Sequence, residues 1–390
     1  MGHIQNPFLV SGYQGPEYFC DREGETAKII SALANDRNVT LISPRRIGKT
    51  GLIHHVFHRL RSQDKDIRCF YLDIFSTQNL GDFVLLLGQT VLGKLDTYSE
   101  SLARRLSSFF KSFRPTFFFD PASGAPSVSL SIQPEQAETG LRELFDYLKQ
   151  SGRRCHIAID EFQQITEYPA KGVEALLRSH MQFLPNVKFI FAGSKKHLMD
   201  AMFSSASRPF YQSTQKINVG EIPLDTYRDF ALGLFAAGGK RAGAGVFDHI
   251  YNLMLGHTWY VQFVCNQVYA LPGAECSIAD VDALVAGILR EESATFKTYC
   301  EMITRGQLRL LRAIAAETKI AGPQEAAFAR KHNLPAPSSI HTALRALLEK
   351  MLILRNEAGE YYVYDRFFSL WLKSPPPPLP QERGAHEGFH

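Results

Sequence analysis

The chain has 390 residues, of which 45% are hydrophobic and 21% are charged, and its formal net charge is +4. This composition is typical of a globular protein with two or three domains, and the charge is too small to indicate nucleic-acid binding by itself. No uninterrupted apolar run of about 18 residues is present, and the N-terminus lacks the basic and apolar regions of a signal peptide. We therefore expect a cytoplasmic protein without membrane association. The six cysteines are far apart and contain no Cys-x-x-Cys pair, so we expect buried thiols rather than metal ligands or disulfides.

The first strand pattern ends in a glycine-lysine-threonine loop. Residues 40–42 are β-branched or apolar, residues 43–50 read Ser-Pro-Arg-Arg-Ile-Gly-Lys-Thr, and an amphipathic helix follows from about residue 51 to 61. This order predicts a phosphate-binding loop, in which backbone N–H groups surround phosphate, a lysine contacts the β and γ phosphates, and a hydroxyl ligates Mg²⁺. The predicted nucleotide-binding residues are Pro44, Arg45, Arg46, Ile47, Gly48, Lys49, Thr50 and Gly51.

The loop departs from the usual pattern Gly-x-x-x-x-Gly-Lys-[Ser/Thr], because Ser43 replaces the first glycine. Serine adopts positive φ less readily than glycine, so we expect Ser43 to have negative φ at the end of the strand. Pro44 has no N–H to offer a phosphate. The anion-binding amides should therefore come mainly from residues 47–50.

An aromatic and charged segment, Tyr18-Phe19-Cys20-Asp21-Arg22-Glu23-Gly24-Glu25, precedes this strand. Two interpretations are open. Tyr18 or Phe19 lies near the adenine ring of the bound nucleotide, or the segment is a surface turn in which Arg22 pairs with Glu25.

Strand and helix patterns alternate after the loop. Residues 68–75 form an apolar run typical of a buried parallel strand, and residues 80–113 have helical spacing. Residues 116–120 and 127–132 then predict two strands joined by a turn, a hairpin inserted at about 115–133. The hairpin either contacts a partner or DNA, or it is a structural decoration.

A strand pattern at residues 153–160 ends in the paired acids Asp160 and Glu161. In a phosphate-loop enzyme the aspartate at this position holds Mg²⁺ through water, and the adjacent glutamate polarises the attacking water. An acidic strand end is common by itself, but its position downstream of Gly-Lys-Thr makes the pair a specific signal. We therefore predict Thr50 and Asp160 at the Mg²⁺ site, and Glu161 and Lys49 as catalytic residues.

Two further candidates follow the next strand pattern, residues 187–194. Ser194 lies near the γ-phosphate if this strand is adjacent to the phosphate-loop strand; otherwise it is a strand-end turn residue. Arg208 precedes a fifth strand at residues 215–219. It is either a guanidinium donor for phosphate charge, within the chain or toward a neighbouring subunit, or a surface arginine.

Helical patterns replace strands from residue 223 onward, at about 225–237, 245–255, 258–271 and 278–302. They predict a helical lid over the nucleotide in residues 223–303. His257 either approaches the phosphates or caps a helix.

Residues 304–374 have the order of a winged helix-turn-helix domain. Helices are predicted at 306–317, 325–332 and 338–351, the last with a Ser338 cap, and a hairpin is predicted at 352–364. Basic residues, Arg366 among them, outnumber acids here. The third helix presents a polar set suited to duplex DNA, which consists of Ser339, His341, Thr342, Arg345 and Lys350. Such domains also contact proteins or lock their own chain.

The composition of residues 375–390 predicts a proline-rich disordered tail.

These motifs, in this order, resemble the archaeal-type ATPases of the STAND/AAA+ group, which are related to origin-recognition and replication-initiator ATPases. The resemblance spans about residues 15–373. It is carried by residues 18–23, the phosphate loop, Ile-Asp-Glu-Phe at 159–162, Gly-Ser at 193–194 and Tyr-Asp-Arg-Phe-Phe-Ser-Leu-Trp-Leu at 364–372. It implies an α/β P-loop NTPase core with a parallel sheet in residues 1–222, then the helical lid and the winged helix.

By the same resemblance, Lys49 and Thr50 bind triphosphate and Mg²⁺, Asp160 supports the metal, Glu161 positions water and Ser194 senses the γ-phosphate. The chain departs from the family at Ser43, at Thr258 in the lid motif Gly-x-Pro, and at Gln212-Ser213, where many relatives carry Gly-Arg. Because Gln212-Ser213 contains no arginine, the role of that arginine in the relatives would have to be filled by Arg208.

The resemblance leads to two functional hypotheses. The first is a slow, Mg²⁺-dependent ATPase that acts as a nucleotide-controlled switch, in which the winged helix changes its docking with the nucleotide state. A protein partner and a homo-oligomer are both left open by this hypothesis. The alternative is a nucleotide-gated DNA-binding protein in which hydrolysis is incidental.

Overall fold

The computed structural model describes residues 5–92, 95, 111–119, 126–356 and 358–374. The chain divides into two compact units. The first contains Met1–Leu234 and Leu255–Asn266, and the second contains Phe235–Met254 and Gln267–His390. The predicted boundaries at residues 222 and 303 stay a prediction.

The first unit is built around a five-stranded sheet in which all strands are parallel. The strand order is β2-β5-β6-β1-β7, which places β1 between β6 and β7. Strand β5 is buried along its whole length, as expected of a parallel strand covered on both faces. All five core strands predicted from the sequence are present. The strands of this unit are β1 (Asn38–Ile42), β2 (Arg68–Asp73), β3 (Phe113–Phe119), β4 (Pro126–Ile132), β5 (Cys155–Asp160), β6 (Val187–Gly193) and β7 (Thr214–Asn218).

Helices cover both faces of the sheet, because each face presents apolar side chains that must be buried. One core joins the sheet to α1 and α2, and a larger core joins it to α3, α4, α5 and α6. Helix α6 was not predicted. The helices are α1 (Glu23–Ala34), α2 (Lys49–Gln63), α3 (Leu80–Val91), α4 (Ala137–Gln150), α5 (Val173–Met181) and α6 (Lys196–Ser204), followed by α7 (Leu224–Ala237).

The predicted hairpin is present, since β3 and β4 pair antiparallel from Phe113↔Ile132 to Phe119↔Pro126. Its first strand begins earlier than predicted. The turn at 120–125 and most of the helix predicted beyond residue 92 lie outside the described residues. No helix in the described part of the chain is both long and apolar enough to cross a membrane.

Helices α8 (Val246–Leu253), α10 (Ile278–Glu291) and α11 (Ser293–Glu301) lie in the second unit, whereas α9 (Thr258–Ala270) begins in the first. The single helix predicted at 278–302 is therefore two helices. At Glu292 ψ is −1°, which departs from the α-helical value and interrupts the helix. Strands β8 (Arg241–Ala242) and β9 (Glu275–Cys276), which pair in parallel, were not predicted.

The winged-helix order predicted from the sequence is present: α12 (Arg305–Glu317), α13 (Ala326–Lys331), α14 (Pro337–Glu349), β10 (Ile353–Arg355) and β11 (Tyr361–Val363). A further helix, α15 (Arg366–Lys373), was missed. The predicted Ser338 cap is wrong. Helix α14 starts at Pro337, because the fixed φ of proline suits the first helical position. It has no side-chain cap. Arg366 is buried and donates to the Leu253 carbonyl, so it does not add to the basic surface.

Candidate nucleotide-binding site

A cavity of about 520 Å³ lies at the carboxyl ends of β1, β2 and β5 in the first unit. This is the edge at which parallel α/β sheets bind ligands. Its wall is formed mainly by the phosphate loop, the segment before α1, the residues at the ends of β2 and β5, and the start of α9. The loop residues on its wall are Arg45, Arg46, Ile47, Gly48, Lys49, Thr50 and Gly51.

The phosphate loop has the backbone that its sequence predicts. Gly48 has φ 99° and precedes α2, whose first turn receives no side-chain cap. The N-terminal amides of α2 are therefore available to an anion, and the helix dipole favours negative charge there. Ser43 is not among the residues with positive φ, as predicted, but Arg46 is, with φ 64°. Lys49 is buried at the base of the loop.

The Asp160 carboxylate is held by donors from α2, from β2 and from the residue that follows β5. Thr50 Oγ1 and Tyr71 Oη both donate to Asp160 Oδ2 at 2.9 Å, and the Glu161 N–H donates to Oδ1 at 2.9 Å. Burial is the main reason why the pKa of Tyr71 is raised, so its hydroxyl stays protonated and can donate. The predicted pair Thr50 and Asp160 is thus brought together, and Tyr71 is a partner that the sequence did not indicate.

Strand β6, which precedes Ser194, is adjacent to the phosphate-loop strand β1, which is the condition set for Ser194 above, and Ser194 lies beside Glu161. Ser194 Oγ donates to Glu161 Oε2 at 2.7 Å, and Gln163 Nε2 donates to the same oxygen. Arg45 Nε donates in turn to Ser194 Oγ at 3.3 Å. Glu161 has φ 55°, in the left-handed region, and it precedes the short 3₁₀ helix Phe162–Glu167. Glu161 lines the cavity, whereas Ser194 reaches it only through Glu161 and Arg45.

Asp73 is an acidic residue of the site that was not singled out from the sequence. It pairs with Asp160 in the register of β2 and β5 and lines the cavity. Its pKa is raised, first by burial and then by the nearby Asp160 and Glu161 charges, while the Phe75 N–H and Arg45 act in the opposite direction. The available signal was its position at the carboxyl end of a predicted parallel strand.

Tyr18 and Phe19 line the cavity, together with Leu9 and Tyr13 from the same N-terminal segment. Tyr13 Oη and His55 Nδ1 are 3.0 Å apart. Burial raises the pKa of Tyr13 to about 12. These rings could take up a nucleotide base, which is the first of the two interpretations.

The pairing in the second interpretation is also present, with Arg22 3.2 Å from Glu25. Arg22 is nevertheless buried and donates to the Ile47 and Gly220 carbonyls at 3.1 and 2.7 Å. The segment is therefore not a surface turn, because Arg22 ties it to the phosphate loop.

Four predicted site residues do not line the cavity: Pro44, Ser194, Arg208 and His257. Arg208 forms an ion pair with Glu174, whose pKa is raised by burial. His257 is buried, and its ring packs on Tyr260 with a centroid distance of 5.1 Å. From this part of the chain it is Thr258, Trp259 and Gln262 that reach the cavity wall.

Comparisons with known proteins agree with this architecture. The family model described as an ATPase domain predominantly from Archaea matches residues 19–262, and a model described as a probable winged helix domain matches residues 294–374. No curated protein matches the sequence.

Several solved structures share the fold. A Walker-type ATPase of Pyrococcus abyssi has a TM-score of 0.65 and 17% identity, over 94% of this chain and 99% of that one. The ORC2 protein of Aeropyrum pernix, solved in ADPNP–ADP complexes, has a TM-score of 0.56 and 18% identity, over 94% and 96%. The ORC1 protein of Aeropyrum pernix, solved in complex with DNA, has a TM-score of 0.52 and 12% identity, over 94% and 96%.

The fold class predicted from the sequence is confirmed, and so is the resemblance to archaeal-type ATPases. The ATPase family model covers more than half of the chain and includes the phosphate loop, Asp160 and Glu161. The chain therefore belongs to the family of ATPases whose domain occurs predominantly in Archaea, and it carries a winged helix domain after that ATPase domain.

Proposed function

We propose that the protein binds ATP with Mg²⁺, hydrolyses it slowly and uses its nucleotide state as a switch, in the manner of STAND ATPases. The observation that carries this proposal is the joint placement of Lys49, Thr50, Asp160 and Glu161 around one cavity. A cavity of about 520 Å³ is within the range of small-molecule sites.

The phosphate loop would hold the triphosphate. Lys49 supplies a positive charge at the base of the loop, and the amides that open α2 supply hydrogen-bond donors. Both stabilise the additional negative charge that develops when the terminal phosphoryl group is transferred.

Thr50 and Asp160 fit a Mg²⁺ ion, because a hydroxyl and a carboxylate are hard oxygen ligands and the two side chains already lie within hydrogen-bond distance. No group of three His, Cys, Asp or Glu side chains among the described residues could hold a metal. Binding would therefore depend on the phosphates as further ligands, as is usual for Mg²⁺. When bound there, Mg²⁺ would neutralise phosphate charge.

Glu161 is the group proposed to orient and polarise the attacking water. It follows the strand that carries Asp160, and it lines the same cavity as Lys49 and Thr50. Hydrogen bonds from Ser194 and Gln163 fix one of its two oxygens, Oε2. The other oxygen, Oε1, is the one assigned to the water.

Two substitutions test the proposal. Lys49→Ala should abolish nucleotide binding, whereas Glu161→Gln should retain binding and lose turnover by a factor of about 10² or more. Binding is measured with a fluorescent ATP analogue, and turnover by phosphate release. Lys216→Ala is a matched control, because Lys216 lies on β7 and pairs with Asp200 at 3.6 Å. Equal turnover of wild type and Glu161→Gln would refute the role of Glu161.

A second candidate function is nucleotide-gated binding of duplex DNA through the winged helix. It is favoured by the exposed polar face of α14, on which Ser339, His341, Thr342 and Arg345 are all solvent-accessible, as is Lys350 just beyond the helix. A fold relative, ORC1 of Aeropyrum pernix, was solved in complex with DNA.

Fluorescence anisotropy with duplex DNA over a salt series separates the two functions. DNA binding through phosphate contacts should weaken steeply as salt rises. Arg345→Ala with Lys350→Ala should lower the affinity and flatten the salt slope. Absence of binding at low salt, with and without ATP, would leave only the switch.

A further inference from the structure

The two arginines of the phosphate loop point to different partners. Arg45 extends toward the acidic end of the site, where it donates to Ser194 and lies 5.1 Å from the Phe75 ring. Arg46 instead extends toward the start of α9. Its guanidinium lies 4.5 Å from the Trp259 ring centroid and 5.7 Å from that of Tyr260.

Arg46 is joined to α9 by both its side chain and its backbone. Arg46 Nη1 donates to Tyr260 Oη at 3.1 Å, and the Trp259 N–H donates to the Arg46 carbonyl at 3.0 Å. Although Arg46 is exposed overall, Tyr260 is completely buried. The ring that accepts the arginine is therefore rigidly placed.

Trp259 is fixed independently of Arg46. Its Nε1 donates to the Val10 carbonyl at 3.1 Å, and its ring stacks on Phe263 with centroids 5.1 Å apart. The stacked pair thus connects the phosphate loop to two parts of the cavity wall, the N-terminal segment and the start of α9.

The backbone of Arg46 explains why such contacts are useful. Its φ of 64° lies in the left-handed region, which is unfavourable for a residue with a Cβ atom. A stacked cation and two hydrogen bonds offset that cost. They therefore hold the turn that leads into Gly48 and the amides of α2.

We propose that Arg46 is a positioning residue: its contacts with Trp259 and Tyr260 hold the phosphate loop in its binding conformation, and it contributes to nucleotide affinity in this way rather than by contacting phosphate. The inference rests on the proposed nucleotide binding and adds a physical link between the loop and α9. Trp259 also provides a fluorescence signal from the site, because it is one of the two tryptophans of the chain, the other being Trp371.

Three substitutions at residue 46 distinguish positioning from phosphate contact. Arg46→Lys keeps the charge but cannot stack and bond as a planar guanidinium does, so we expect ATP affinity to fall about tenfold. The ATP affinity of Arg46→Ala should fall at least as far. The ATP affinity of Arg46→Gly should be about fivefold higher than that of Arg46→Ala, because glycine adopts positive φ without strain.

The experiment measures ATP and ADP affinity for these variants, for Trp259→Leu, and for the double variant Arg46→Ala/Trp259→Leu. We expect the two single losses to be strongly non-additive, and we expect the tryptophan emission of Arg46→Ala to differ from that of wild type without nucleotide. Thermal unfolding shows whether each variant is folded, and an unfolded Trp259→Leu is replaced by Trp259→Phe.

Each result has one meaning. Near wild-type affinity of Arg46→Lys, equal affinities of Arg46→Ala and Arg46→Gly, or additive losses would overturn the positioning role. If wild type binds no nucleotide, so that its affinity does not differ from that of Lys49→Ala, the proposed function itself fails. That result is distinct from failure of the inference about Arg46.

Discussion

The hydroxyl of Thr50 donates a hydrogen bond to the Asp160 carboxylate across a separation of 110 residues, with the two oxygens 2.9 Å apart. Thr50 is in the first turn of α2, and Asp160 is the last residue of β5. The contact requires β1, which leads into α2, to lie close to β5 in the sheet, and only β6 separates these two strands. The sheet order provides this arrangement.

Tyr71→Phe should weaken the response to Mg²⁺ without unfolding the protein. Tyr71 donates to the same oxygen of Asp160 as Thr50 does, and a hydrogen bond to a charged group contributes about 1.5–3 kcal/mol. We expect the Mg²⁺ concentration for half-maximal turnover to rise about tenfold. The control is Tyr168→Phe, which removes a buried hydrogen bond to Thr77. An unchanged Mg²⁺ requirement in Tyr71→Phe would contradict the assigned role.

Gly193→Ala should reduce turnover more than nucleotide affinity. A Cβ atom at Gly193 would lie 2.3 Å from Gln163 Oε1 and 2.5 Å from Met199 Sδ. Since Gln163 donates to Glu161, its displacement should disturb the glutamate.

Gly233→Ala is the matched control for this change. Nothing lies within 4 Å of a Cβ at Gly233, which is in the interior of α7, so alanine should raise stability by about 0.5–1 kcal/mol. Phosphate release and analogue binding are compared for both variants. Equal losses of affinity and turnover in Gly193→Ala would argue against an effect through Glu161.

Stability should fall between pH 7.5 and pH 5 because of His156. This side chain is 2% exposed, and its pKa is lowered to about 4, first by burial and then by Arg154 and Lys188. The unfolded histidine titrates near 6.5, so the unfolded state binds more protons in this interval. The stabilisation is complete above about pH 6.5 and decreases as the pH falls toward 4, with a loss of about 2 kcal/mol at pH 5.

Urea denaturation at the two pH values checks this expectation. His156→Leu should remove about 2 kcal/mol of the pH dependence, whereas His341→Leu, at an exposed position of α14, should leave it intact. The same pH dependence in His156→Leu and wild type would assign the effect to other groups.

Arg208→Ala should destabilise the first unit, because it leaves the half-buried Glu174 carboxylate without its ion-pair partner. The expected loss is about 1–2 kcal/mol in free energy of unfolding, and Glu174→Gln in the same background should recover part of it. Turnover measured over a range of protein concentrations tests the catalytic hypothesis separately. A loss of turnover that appears only at high concentration would indicate that Arg208 acts on a neighbouring subunit.

The core strands could be predicted because their signal is local. Parallel strands buried on both faces read as short apolar runs, as in β5 and β6. The single helix predicted at 278–302 was wrong because the conformation of Glu292, which ends α10, has no marked sequence signal. The Ser338 cap was wrong because Pro337 already provides a favourable first residue for α14.

The sequence alone determined the phosphate loop, the acidic strand end and the order of the winged helix, because each depends on residues close together in the chain. The tertiary structure decided the partners of these residues. Tyr71 reaches Asp160 over 89 residues, and Arg46 reaches Tyr260 over 214. The physical reason is that strand order and helix placement set such contacts, and neither leaves a periodic pattern in the sequence around the residues concerned.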